Sequence, residues 1–263
     1  PVSSDLEKDR RERLKTADQI LKMAYFVAPE MGAVHEIRVD SVEECWPLFS
    51  PTFAVLNYDL QSGFEDFGRW LLEHDMSGPY REYRRELQLL AHHRSTGSFV
   101  LKCPEHLWFL DALFEVFPDA CVVWTHRDPL DSVASYSSLM SLNRRMIYGR
   151  FDPLEIGQWI EGRFHKGVER AMATRADLGR EDQFFDVDFA QLVADPLAMV
   201  KRITDHFSLA LDPSAESDIV DWLGTRRADS RGSHVYRSDT FGLDPERVRE
   251  RFTDYIDRFD ITL

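Results

Sequence analysis

The chain is poor in cysteine: it has Cys45, Cys103 and Cys121 in 263 residues. Three is an odd number and too few for a framework of paired disulfides. No cysteine stands at metal-ligand spacing from another. The nine histidines form neither HxxxH nor HExxH, so no zinc site is expected. Long apolar runs are missing too, and without about 18 apolar residues in a row no segment spans a membrane. The first residues, PVSSDLEKDRRERL, lack the apolar centre of a signal peptide. Together with the few cysteines this points to the reducing cytoplasm. Excess positive charge is absent, since the net charge is −14. That argues against general nucleic-acid binding and against an anionic membrane surface. An anionic cofactor would need a local pocket of placed arginines, lysines and backbone N–H groups. No internal repeat, low-complexity tract or GxxxxGK[ST] loop occurs.

What remains is an ordinary globular composition, 43% hydrophobic and 30% charged. The length fits one large domain. The first part reads as helical. Asp5–Phe26 carries Leu14, Ala17, Ile20, Leu21 and Ala24 at helical spacing. Ser41–Leu48 opens with a possible capping box, Ser41 and Glu44. Phe64–His74 and Pro79–His92 follow as helices. From about residue 96 the pattern alternates. Ser98–Leu101 and Ala120–Thr125 are short apolar runs, with helical stretches over His106–Val116 and Pro129–Leu142. Gln183–Phe189 is a third strand candidate, with helices over Pro196–Phe207 and Pro245–Phe259. The expected class is α/β with a central parallel sheet flanked by helices. Ligands of such sheets sit at the carboxyl ends of the strands, which singles out Lys102, Arg127 and Phe189.

The stretch VVWTHRDPLDSVASYSSL holds the first candidate site. Asp128 suits an N-cap and Pro129 a first helical turn, so the helix starts just after Arg127. Ser135 lies two turns on, within reach of the point Arg127 serves. A guanidinium fork and a hydroxyl match a phosphate. A salt bridge from Arg127 to a nearby acid, with Ser135 chosen for close packing, is equally compatible. The second candidate is LKCPEHL. Lys102 can neutralise an anionic leaving group, and His106 or Glu105 can take a proton from a hydroxyl. The alternatives are that Glu105 complements a helix dipole and that His106 packs. The third is DSRGSHVYR, where Gly232 allows a tight turn whose backbone N–H groups can hold an oxyanion and Arg231 and Arg237 add charge, unless the stretch is simply a solvated loop. Trp46, Phe49, Phe53, Trp70 and Tyr80 can line an apolar pocket, or simply be core.

Taken together, these residues resemble the sulfotransferase superfamily that uses 3′-phosphoadenosine 5′-phosphosulfate (PAPS), in the bacterial branch with LKxPxHL and HRDP. The resemblance runs from about His35 to the C-terminus. It implies a P-loop-NTPase-like three-layer α/β fold, with 1–95 as a helical acceptor-side region and 96–263 as the cofactor-binding core. It implies that Arg127 and Ser135 bind the 3′-phosphate and that Phe189 packs near the adenine. It also implies that Arg231, Gly232, Ser233 and His234 close over the phosphate. Lys102 with His106 or Glu105 would then be catalytic. PAPS would be the donor and PAP the product, without a metal, because Lys, Arg and amides supply the positive charge. The implied partners are a small-molecule or lipid acceptor and, as an oligomer, a homodimer. The family's PxSGTT-like loop for the 5′-phosphosulfate is not in this sequence. With a first residue other than Met, the expectation is a chain lacking its N-terminal strand and loop, or else a degenerate relative. A P-loop-like kinase and a non-catalytic nucleotide-binding relative stay open as alternatives.

Overall fold

The computed structural model describes residues 5–29, 32, 37–92, 97–228 and 237–263. Its first part holds α1 (Leu6–Val27), a 3-10 helix (Trp46–Thr52), α2 (Leu56–Ser62), α3 (Glu65–Glu73) and α4 (Ser77–Ala91). A 3-10 helix (Pro104–Phe109) then runs into α5 (Leu110–Val116). β1 (Val122–His126), α6 (Pro129–Tyr148), α7 (Pro153–Leu178) and β2 (Phe184–Asp188) form the centre. After it come α8 (Phe189–Ala194), α9 (Pro196–His206), α10 (Pro213–Ala228), α11 (Pro245–Arg251) and α12 (Thr253–Phe259).

One local device starts many of these helices. At Asp-Pro steps the carboxylate accepts from a first-turn N–H, and proline fills a position whose N–H has no helical partner. Asp128 accepts from Leu130 at 2.8 Å, Asp152 from Leu154 at 2.9 Å and Asp195 from Ala198 at 3.0 Å. Asp212 and Asp244 do the same for α10 and α11.

β1 and β2 pair in parallel, from Val122 opposite Phe184 to His126 opposite Asp188. The crossover between them contains α6 and α7, which pack on each other. α7 buries Ile156, Ile160, Gly167, Ala171 and Arg175 along one side. Gly167 admits the Trp108 ring, which would lie 2.3 Å from a Cβ there. One hydrophobic core runs from Phe49 and Tyr83, through Trp108 and Trp124, to Val248 and Ile261.

Three sequence expectations need correction. Ser98–Leu101 forms no strand, and Val100 is 97% exposed. A strand exists through its ladder partners, and among the described residues this segment has none. Ser41 does not cap a helix. Its hydroxyl donates back to the Arg38 carbonyl and accepts from the Arg38 N–H, the local alternative that serine offers a backbone. The helical segment starts at Trp46 as a 3-10 helix, with Pro47 and Pro51 removing α-type donors. The last run is two helices broken at Phe252, where the Thr253 hydroxyl bonds back to the Glu250 carbonyl.

Candidate active site

The end of the parallel ladder fixes the first half of the site. His126 pairs with Asp188, so Arg127 and Phe189 leave the sheet side by side. The Arg127 guanidinium lies over the Phe189 ring, 5.1 Å from its centroid. It also donates to Asp131, one turn into α6, at 3.0 Å. Ser135 follows Asp131 by one further turn and is half-buried. The strand end beneath is buried and bonded on two sides. His126 is 4% exposed, bonded to Asp186 at 2.9 Å and Tyr255 at 3.1 Å, and stacked on Phe259. Burial raises the Asp186 pKa, but hydrogen bonds from His126 and Arg175 outweigh it and hold the carboxyl down at about 2. Arg249 bonds the capping Asp128 at 2.6 Å.

The second half gathers around the 3-10 helix Pro104–Phe109. Lys102 is exposed and paired with Glu44. Glu105 is buried, and its two oxygens accept from Leu56 N at 2.7 Å and Asn57 N at 2.9 Å. It therefore caps α2 rather than its own helix. Burial pushes its carboxyl up to about 7, against the pull of those two N–H donors. His106 is half-buried. Its Nδ1 faces the Tyr80 hydroxyl at 2.8 Å and its Nε2 faces Cys45 Sγ at 3.5 Å. Burial keeps Tyr80 neutral, with a pKa well above the ordinary range. The Cys103 thiol hydrogen-bonds Cys45 and lowers the Cys45 pKa, and His106 lowers it further.

A model of the sulfotransferase family matches residues 2–213. The chain belongs to the sulfotransferase family. Among solved structures it is similar to sulfotransferase STF1 from Mycobacterium tuberculosis H37Rv. The two are 32% identical with a TM-score of 0.77, over 93% of this chain and 65% of that one. Sulfotransferase STF9 from Mycobacterium avium is 29% identical with a TM-score of 0.77, over 96% of this chain and 67% of that one. Among curated proteins it is similar to the omega-hydroxy-beta-dihydromenaquinone-9 sulfotransferase Stf3 of Mycobacterium bovis and of Mycobacterium tuberculosis. Each is 25% identical over 177 residues, 63% of this chain and 42% of the relative. The chain thus spans less than half the length of these curated relatives.

Within this sulfotransferase-family chain, the structure joins Arg127 to Phe189, and gathers Glu105 and His106 with Lys102 near Glu44 and Cys45. Arg231, Gly232, Ser233 and His234 lie outside the described residues. Of the aromatic set, Phe49 and Tyr80 are core, whereas Phe53 and Trp70 are exposed and Trp46 is half-buried. Glu44, Tyr80 and Cys45 acquire roles as partners of Lys102 and His106 that their spacing did not announce. Tyr80 in particular repeats with Tyr83 and Leu87 at helical spacing, which marks a packing face.

Proposed function

We propose that this chain transfers a sulfuryl group from PAPS to the hydroxyl, less readily the amine, of a small-molecule or lipid acceptor. The observation that carries the reading is the Arg127 guanidinium stacked on Phe189 at the paired strand ends. That donor set fits a nucleotide phosphate: a forked cation, the nearby helix hydroxyl of Ser135, and an aromatic face for a base. Arg127 and Ser135 hold the 3′-phosphate, with the phosphate displacing Asp131, and Phe189 offers stacking to the adenine. Arg231, Gly232, Ser233 and His234 add further contacts to the phosphate. PAPS, when bound, supplies the sulfuryl group and leaves as PAP.

Lys102 neutralises charge on the bridging oxygen from its exposed position, exchanging Glu44 for the ligand. Of the two candidate bases the geometry favours His106, because Glu105 uses both oxygens on backbone N–H groups. Tyr80 against Nδ1 fixes the ring so that Nε2 takes the acceptor's proton. Positioning and charge neutralisation do most of the work, as in phosphoryl transfer. A relative named for an omega-hydroxy dihydromenaquinone supports a hydroxyl on a lipid-like acceptor. The acceptor enters from the helical region 1–95, and 96–263 forms the cofactor core of a P-loop-like three-layer fold. Its free thiols suit a cytoplasmic enzyme.

Calorimetric binding of adenosine 3′,5′-bisphosphate and of adenosine 5′-monophosphate tests the reading. The 3′-phosphate should confer a clear advantage, and Arg127→Ala should remove about 1.5–3 kcal/mol of it. Equal affinity for the two nucleotides in the wild type would overturn the proposal.

A further inference from the structure

The geometry points to a binding site for one thiophilic divalent cation of the zinc class, with Cys45, Cys103 and His106 as its ligands. Their ligand atoms all lie within 4.8 Å of one another, although His106 is 61 positions from Cys45. Bond lengths of about 2.3 Å to sulfur and about 2.0–2.1 Å to nitrogen, at a tetrahedral angle, set the two atoms about 3.5 Å apart. Cys45 Sγ and His106 Nε2 are 3.5 Å apart. A metal-bound imidazole also needs its other nitrogen protonated and held by a partner. Nδ1 has that partner in the buried Tyr80 hydroxyl at 2.8 Å.

The surroundings are built rather than loose. The Cys45 N–H donates to the Lys102 carbonyl at 2.9 Å, which ties one cysteine to the residue before the other. Both thiols are buried. Phe49, Tyr80 and Tyr83 pack their rings against the imidazole. Tyr83 is buried next to Cys45, and its hydroxyl faces the Cys45 thiol. A metal-bound thiolate would be a stronger acceptor for that hydroxyl than the neutral thiol. Two thiolates and an imidazole exclude magnesium and calcium, which take oxygen ligands, and favour zinc. Binding expels the two thiol protons, and a water completes four-coordination.

This site goes beyond the sulfuryl-transfer reading and meets it only at His106, whose Nε2 an ion would occupy. The test is spectroscopic and independent of turnover. The full chain, reduced with a phosphine and stripped of metal, is titrated with Co²⁺. A thiolate-to-cobalt charge-transfer band should saturate at about one equivalent and disappear on adding Zn²⁺. Cys121→Ser should keep the band. Cys45→Ser and Cys103→Ser should each weaken binding by more than about 100-fold, and Tyr80→Phe by about 10-fold, the range of second-sphere changes. Native mass spectrometry of the unaltered chain needs no variant. One zinc gained with two protons lost supports the site. Absence of both the band and the zinc species overturns it, as does a band that survives both cysteine substitutions. Absence of the band tells against the metal site alone. A zinc-loaded chain that still turns over tells against His106 as base alone.

Discussion

The Arg127 guanidinium and the Phe189 ring meet at 5.1 Å because the residues before them, His126 and Asp188, are ladder partners. On the reading proposed above, these two neighbours have separate tasks, one for phosphate and one for the base. Phe189→Ala should weaken adenosine 3′,5′-bisphosphate and adenosine 5′-monophosphate alike, by about 1–3 kcal/mol of lost stacking. Arg127→Ala should weaken only the bisphosphate. Titration calorimetry of both variants with both nucleotides separates the cases, and a Phe189 effect limited to the bisphosphate would contradict the assignment.

Glu105 makes stability depend on pH. Its folded pKa of about 7 lies above the ordinary 4.5, so the folded state binds the proton more tightly. The stability it contributes is fully present below about pH 4.5 and is lost as pH rises through 7. The loss is on the order of 3 kcal/mol. Urea unfolding of the wild type from pH 4.5 to 8 should show this decline, and Glu105→Gln should flatten it. An unchanged slope in the variant would place the titration elsewhere. Glu105→Ala should cost about 1–3 kcal/mol for each buried N–H it orphans at Leu56 and Asn57.

Asp186 acts with the opposite sign. Held at about 2, against an ordinary 3.8, it stabilises the fold above about pH 4. That contribution fades as pH falls through 2. Asp186→Asn should therefore be less stable than wild type at pH 7, with the gap closing between about pH 4 and pH 2. Acid unfolding followed by circular dichroism measures this, and a gap independent of pH would refute it.

Two glycines in α7 mark close approaches. A Cβ at Gly157 would lie 2.1 Å from the Phe241 carbonyl oxygen, and one at Gly167 would lie 2.3 Å from Trp108. Overpacking of this kind costs about 1–3 kcal/mol, and the backbone contact at Gly157 can relax least. Gly157→Ala should therefore lower the melting temperature more than Gly162→Ala, a helical site with open space around it. Equal melting temperatures for the two variants would argue against this packing.

His106→Ala should reduce sulfuryl transfer by about 10²–10⁴-fold, the range of a general base, with nucleotide affinity unchanged. Single-turnover kinetics after separate nucleotide titration gives both numbers. Unimpaired transfer would move the base to another group.

Local rules made much of this fold legible. Asp128-Pro129 located the start of α6, a run rich in Val and Trp located β1, and QFFDVDF located β2, both strands within two residues. The same Asp-Pro rule at Asp152-Pro153 marks α7, the longest described helix, which hydrophobic spacing alone did not bring out. Its buried face includes Glu161 and Arg175, whose charges interrupt an apolar stripe. They are buried because Arg247 and Arg251 pair with Glu161, and Glu181 and Asp186 with Arg175. Arg127 and Phe189 could be singled out from the sequence because strand-end positions are few, and the structure places them side by side. The other half of the site was not readable, since Glu105 serves N–H groups 48 and 49 positions away and His106 meets Cys45 across 61. No spacing rule spans such distances.

The crossover between β1 and β2 has a further consequence. Arg127 and Phe189 are separated by the two long helices α6 and α7, so no short fragment can bring them together. Loop-closure entropy has to be met before their contact exists. On the proposed reading, nucleotide recognition then requires both strands and the crossover between them. The temperature at which bisphosphate binding vanishes should coincide with the melting of the whole core, so that this ligand doubles as a probe of native assembly.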